Sequence, residues 1–133
     1  MIHTLKSLGG MVVAPHHLAA QAGRDILRNG GNAIEAMVAA AATIAVVYPH
    51  MNAIGGDGFW VIHEPGKPPV AIDACGPAAA LATMDFYAGQ QAIPARGPQA
   101  ALTVAGTIGG WIEALKISSG WGGKVALADL LSE

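Results

Sequence analysis

The sequence predicts an α+β fold, on three observations. Apolar residues recur at helical spacing from Leu18 to Leu27, and an almost uncharged, alanine-rich stretch fills residues 33–48. Two runs of strand composition, GFWVIHE (58–64) and PVAIDAC (69–75), flank the turn-forming PGKP.

Taken in order, MVVAP (11–15) reads as a short strand stopped at Pro15, which has no amide hydrogen for a ladder. In the next segment Leu18, Ala19, Ala22, Ile26 and Leu27 share one side of a helix, opposite Gln21, Arg24, Asp25 and Arg28. Asn29 and Gly30 supply the left-handed stop that ends many helices. A second helix opens at Asn32, a good cap, with Glu35 three positions on to return a bond to the cap amide. From Ala33 to Tyr48 the only charge is Glu35. This stretch is shorter than the roughly 20 apolar residues of a membrane span, so it is expected to be a central helix covered by protein on every side. The two strand-like runs predict a β-hairpin. A short helix is expected near ATMDFY (82–87), opened by Thr83, and a third at TIGGWIEALKISSG (107–120) with Ile108, Trp111, Ile112 and Leu115 on one side. VALADLLSE (125–133) begins a fourth that reaches the last residue without a terminator, which suggests a piece of a longer chain.

Composition narrows the function. In 133 residues 53% are hydrophobic and only 12% charged, about half the charge of an ordinary soluble domain. Such a chain is expected to oligomerise or to be covered by further polypeptide. The net charge of −2, with no basic stripe, argues against nucleic acid. Residues 1–10 lack an apolar core of signal-peptide length, so the expected location is cytoplasmic, with no membrane partner. One cysteine rules out an internal disulfide framework.

Three constellations invite chemistry. Gly55, Gly56 and Gly58 resemble part of a phosphate-cradling loop, but here a helix precedes them and a strand follows, the reverse of a dinucleotide site. A helix-to-strand corner, where glycine permits positive φ and close backbone approach, is the plainer reading. Gly56→Val is then expected to reduce folded protein, and Asp57 to fix the corner by local hydrogen bonds. The histidines show no metal-site spacing: His16 and His17 are adjacent, while His50 and His63 lie on separate elements, so neither metal nor cofactor is expected. Cys75 is a conceivable nucleophile, yet no Lys, Arg or clear helix start beside it favours a thiolate, and a partly buried thiol at a strand end is the simpler expectation. Trp60, Trp111 and Trp121 read as packing residues.

Taken together, GMVVAPHHLAAQAGRDILRNGGNAIEAMVAAAATIAVVYPHMNAIGGDGFWVI, AIDACGPAAA and VAGTIGGWIEALKISSG, in this order along nearly the whole chain, resemble the amino-terminal part of the large subunit of the γ-glutamyltranspeptidase family. The resemblance implies the amino-terminal portion, residues 1–133, of an αββα N-terminal-nucleophile hydrolase sandwich, contributing central helices plus the hairpin as a single partial domain. It implies a precursor that cuts itself into two subunits and frees a threonine, whose hydroxyl attacks a γ-glutamyl or related acyl amide with its own α-amine as base. That threonine lies on the small subunit, so no catalytic residue is expected here and the chain alone should be inactive. The implied partners are the remaining segments of the same precursor and a small-molecule amide.

Where glutamyl-transferring members carry an arginine for the substrate α-carboxylate, this chain has Cys75 followed by Gly76. These two are the candidate substrate-facing residues, and a thiol offers no charged fork to a carboxylate. The sequence thus resembles the acylase-like branch of the family more than the glutamyl-transferring one. Two other readings stay open: a non-catalytic module that binds another chain, and a cysteine-dependent hydrolase centred on Cys75.

Overall fold

The computed structural model describes residues 4–100 and 104–132. It contains helices α1 (His17–Arg28), α2 (Ala33–Val47), α3 (Thr107–Gly120) and α4 (Leu127–Leu130), and strands β1 (Gly58–Ile62) and β2 (Val70–Ala74), an α+β arrangement. The chain divides into two compact units. One comprises residues up to Ala53 and from Trp111 onward, and the other runs from Ile54 to Gly110.

In the helical unit, α1 starts where the His16 ring nitrogen Nδ1 accepts the Leu18 amide at 3.3 Å. It ends in a Schellman closure, with Gly30 N–H on the Leu27 carbonyl, Gly31 N–H on Ile26, and Gly30 at φ 91°. The buried face is Ala19, Ala22, Gly23 and Ile26. The expected apolar side also included Leu18 and Leu27, but Leu18 is exposed and Leu27 half-buried. Small residues win the inner face because α2 comes close: a Cβ on Gly23 would stand 2.7 Å from the Ala36 carbonyl oxygen and 2.8 Å from Val12.

The expected capping box of α2 is present. Asn32 Oδ1 accepts the Ile34 and Glu35 amides at 3.0 and 3.1 Å, and Glu35 Oε2 accepts the Asn32 amide at 2.7 Å. The remaining carboxylate oxygen of Glu35 accepts Val125 N–H at 2.8 Å, and Asn32 Nδ2 donates to Ser118 Oγ at 2.8 Å. Glu35 and Ser118 are buried, so this network fixes the start of α2 to the end of α3 and the turn beyond it. Only the first half of α2 is fully covered, at Ile34, Glu35, Ala36, Val38, Ala39 and Ala40. Val46 is 76% exposed and Met37 is also exposed, so the enclosure expected on all sides is not complete within this chain.

The buried stripe of α3 runs through Thr107, Gly110, Trp111, Ala114 and Ser118. Of the side predicted from hydrophobicity, Trp111 is inside, Ile108 and Ile112 are exposed, and Leu115 is half-buried. The helix is apolar on two sides, and the one lying inward sets Gly110, Ala114 and Ser118 around Trp111, which lets the backbone come close at Gly110. Its end repeats the Schellman pattern, with Gly122 N–H on Ser119 and Gly123 N–H on Ser118, and Gly122 at φ 80°.

In the second unit β1 and β2 pair antiparallel with Gly58 opposite Ala74 and Ile62 opposite Val70, as the hairpin reading required. The turn uses Pro65 and Gly66 (φ 82°), and the Lys67 amide donates to the Glu64 carbonyl at 3.0 Å, the geometry of a type II turn. Two expected elements are absent. Residues 11–15 pair with no strand among the described residues, and the 82–87 stretch forms turns rather than a helix. Thr83 does open those turns, its Oγ1 accepting the Phe86 amide at 3.3 Å, but Tyr87 and Ala88 bond three residues back, not four. No helix among the described residues is long and apolar enough to cross a membrane.

Candidate functional site

The hairpin register sets the site. Because Gly58 faces Ala74, the corner entering β1 (54–57) lies beside the segment leaving β2 (75–77). Backbone groups hold that corner. The Gly56 carbonyl accepts Gly106 N–H and Thr107 N–H at 3.0 Å each and Thr107 Oγ1 at 2.8 Å, and Thr107 Oγ1 also reaches the Asp57 carbonyl at 3.0 Å. These bonds satisfy donors that the first turn of α3 would otherwise leave unpaired. Gly55, Gly56 and Gly58 all have negative φ, and a Cβ on Gly55 or Gly56 meets nothing within 4 Å. The expectation that Gly56 is needed for its conformational freedom, and that valine there damages the fold, is therefore not supported. Position 56 contributes its carbonyl, which any residue possesses. Gly58 alone is crowded, its Cβ site lying 3.3 Å from Thr107 Cα.

Cys75 and Gly76 sit together at this corner. The Cys75 amide donates to Asp73 Oδ1 at 3.1 Å, and its thiol is exposed rather than partly buried as expected. A hydrogen bond between the thiol itself and Asp73, together with that carboxylate's charge, pushes the thiol pKa above its ordinary value, with further raising by desolvation and by Asp57 and a lowering by the backbone. Asp73 thus opposes the thiolate a cysteine nucleophile needs. Gly76 adopts φ 73°, and a Cβ there would collide with the Val104 carbonyl, while Val104 N–H donates to the Pro77 carbonyl at 2.9 Å. Gly76 thus has a packing reason to be glycine, independent of any substrate. Gly106 makes the matching approach from the other side, its Cβ site 2.7 Å from the Ala74 carbonyl carbon.

The other candidates lie apart from one another in role. His16 caps α1, His50 packs its ring 4.2 Å from that of Tyr48, and His63 is exposed just past β1. Among the described residues no three His, Cys, Asp or Glu side chains gather as metal ligands. Trp111 is buried, and Trp60 stands against Gly110, whose Cβ site is 3.4 Å from Trp60 Nε1. Sequence reasoning missed Asp73 and Thr107. An aspartate two residues before Cys75 is a readable signal for a side-chain-to-amide turn, whereas the donation of Thr107 Oγ1 to the Gly56 and Asp57 carbonyls depends on contacts about 50 residues distant. The corner offers exposed carboxylates, a high-pKa thiol and a tightly held backbone. It can shape a pocket wall, but it pairs no nucleophile with a base.

A family model for gamma-glutamyltranspeptidase matches residues 19–133. The chain is 64% identical to the oxamate amidohydrolase proenzyme of Klebsiella pneumoniae subsp. pneumoniae over 96% of its length and 24% of that protein. It is 46% identical to the glutathione hydrolase-like YwrD proenzyme of Bacillus subtilis, over 91% of this chain and 22% of that one. The gamma-glutamyltranspeptidase of Helicobacter pylori superposes with a TM-score of 0.80 at 33% identity, covering 97% of this chain and 37% of the solved one. The chain therefore spans about a quarter of the length of these curated relatives. With most of its residues matched in sequence and nearly all of them in structure, it belongs to the gamma-glutamyltranspeptidase family.

Proposed function

We propose that this chain is the amino-terminal part of a self-cleaving amide hydrolase of the N-terminal-nucleophile type, and that the substrate is a small amide acid of the oxamate class. The observation that carries the reading is the 64% identity with an oxamate amidohydrolase proenzyme. A threonine freed on the remaining precursor attacks the amide carbon, its α-amine taking the hydroxyl proton and passing it to the departing ammonia. Water then cleaves the acyl-enzyme, so oxamate and water give oxalate and ammonium. Residues 54–58 and 73–77 form one wall of the pocket, held rigid by the carbonyl contacts of Gly56 and the closeness of Gly76 to Val104. Preorganised walls matter because small misplacement of a bound substrate costs rate steeply.

A second reading, hydrolysis of γ-glutamyl amides, draws on the relative described as glutathione hydrolase-like. An exposed thiol at position 75, in place of a guanidinium, weighs against it. The full precursor, once cleaved, is expected to release ammonia from oxamate with kcat/KM at least about tenfold above its value on γ-glutamyl-p-nitroanilide. The reverse order sinks the oxamate reading in favour of the glutamyl one, and activity on neither sinks both.

A further inference from the structure

The chain has three asparagines, and the fold treats them differently. Asn32 is locked in place: its Oδ1 accepts the Ile34 and Glu35 amides, its Nδ2 donates to Ser118 Oγ, and Ala33 follows it. Asn52 is half-buried, donates from Nδ2 to the Tyr48 carbonyl at 3.4 Å, and also precedes an alanine. Asn29 is exposed at the end of α1 and is followed by Gly30, itself exposed and with open space where a Cβ would stand.

An asparagine followed by glycine can react with its own backbone. The nitrogen of the next residue attacks the side-chain carbonyl carbon Cγ, and glycine hinders this least, because no Cβ flanks its nitrogen and its backbone turns most freely. The N–Cγ bond forms as the Gly30 nitrogen gives up its proton, the side-chain nitrogen departs as ammonia, and a five-membered imide remains. Water opens the imide at Cγ to give aspartate, or at the backbone carbonyl to give isoaspartate, in which the chain runs through Cγ and is longer by one methylene. Water is the sole co-reactant, and nothing is oxidised or reduced.

The native geometry holds this reaction back. At the Asn29 ψ of 7° the Gly30 nitrogen eclipses the Asn29 nitrogen, whereas ring closure needs it to eclipse Cβ. Gly30 N–H is held on the Leu27 carbonyl at 3.2 Å and Gly31 N–H on the Ile26 carbonyl at 2.9 Å. Reaction therefore requires the Schellman closure to open, and element ends are where a fold opens most readily. We propose that Asn29 is a site of spontaneous conversion to aspartate and isoaspartate in the folded protein, gated by opening of the α1 closure. The products do not refit. Aspartate places a negative charge at the carbonyl end of α1, four residues after Asp25. Isoaspartate lengthens a junction with no slack: a Cβ on Gly31 would stand 2.5 Å from Ile26 Cγ2 and 3.2 Å from Glu35 Oε2. The turn that presents Asn32 and Glu35 to the start of α2 is then displaced.

The test holds the full-length protein and a peptide of residues 24–35 in the same neutral buffer and follows digests by mass spectrometry, reading amide loss at each asparagine and identifying isoaspartate by its fragmentation. Asn29 is expected to convert in the folded protein ahead of Asn32 and Asn52, at least about tenfold more slowly than in the peptide, and to reach the peptide's rate in urea. Converted molecules are expected to unfold at a lower temperature than unconverted ones, and Asn29→Gln, whose longer side chain would need a six-membered ring, to remove both the conversion and the loss. A folded protein that converts as fast as the peptide overturns the gating. One in which Asn29 outlasts Asn52, or survives more than about a thousandfold longer than in the peptide, overturns the site. Neither result touches the hydrolase reading, since no substrate enters the measurement.

Discussion

The two units are held by different means. In the helical unit side chains disappear from solvent: Ala19, Ile26, Ile34, Val38, Ala39, Trp111, Ala114 and Leu130 are all buried, around the polar network of Asn32, Glu35 and Ser118. In the hairpin unit few side chains are buried, and Phe59 and Val61 point outward, 68% and 80% exposed. What joins its segments is backbone against backbone, at Gly76 with Val104 and at Gly106 with Ala74. The lesson is that a segment can be well ordered with little core of its own if glycines let its carbonyls and amides meet.

That contrast can be broken or sharpened by substitution, each checked by the thermal unfolding of the full precursor. Trp111→Ala removes the largest aromatic buried in the helical unit and is expected to cost about 3–5 kcal/mol. Glu35→Ala leaves the Asn32 and Val125 amides without an acceptor, for a loss of about 2–4 kcal/mol. Gly106→Ala drives a methyl group into the Ala74–Gly76 backbone and is expected to cost about 1–3 kcal/mol although it enlarges a side chain by only one carbon. A neutral Gly106→Ala would show that the hairpin unit depends on side chains after all. Gly56→Ala, which enters open space at negative φ, is expected to change stability by no more than about 0.5 kcal/mol.

The helical elements were legible because their signals are local. Asn32 and Glu35 spell a capping box three residues apart, and Asn29–Gly30–Gly31 spell a helix stop. The hairpin was legible for the same reason, through Pro65–Gly66 between two strand-like runs. The inward face of α3 was not, since with apolar residues on both sides only the partner surface decides, and it selected Gly110, Ala114 and Ser118. The ATMDFY segment misled because its composition suits a helix while the chain closes it with three-residue turns. At the site, Cys75 and Gly76, named from the sequence as substrate-facing candidates, lie just past the end of β2 that faces Gly58. The acidity of their surroundings was hidden, because Asp57 joins Asp73 there only through the hairpin register.

The second hydrogen bond of Glu35 reaches an amide 90 positions later in the chain. During synthesis at the usual 5–20 residues per second, that carboxylate waits roughly 5–20 s for Val125 to be made. In the meantime the first two helices carry an ionisable group at their junction with one oxygen turned toward water. The outer bond of the α2 cap can therefore form only after the turn beyond α3 has been made, so the start of α2 is completed by one of the last segments of the chain.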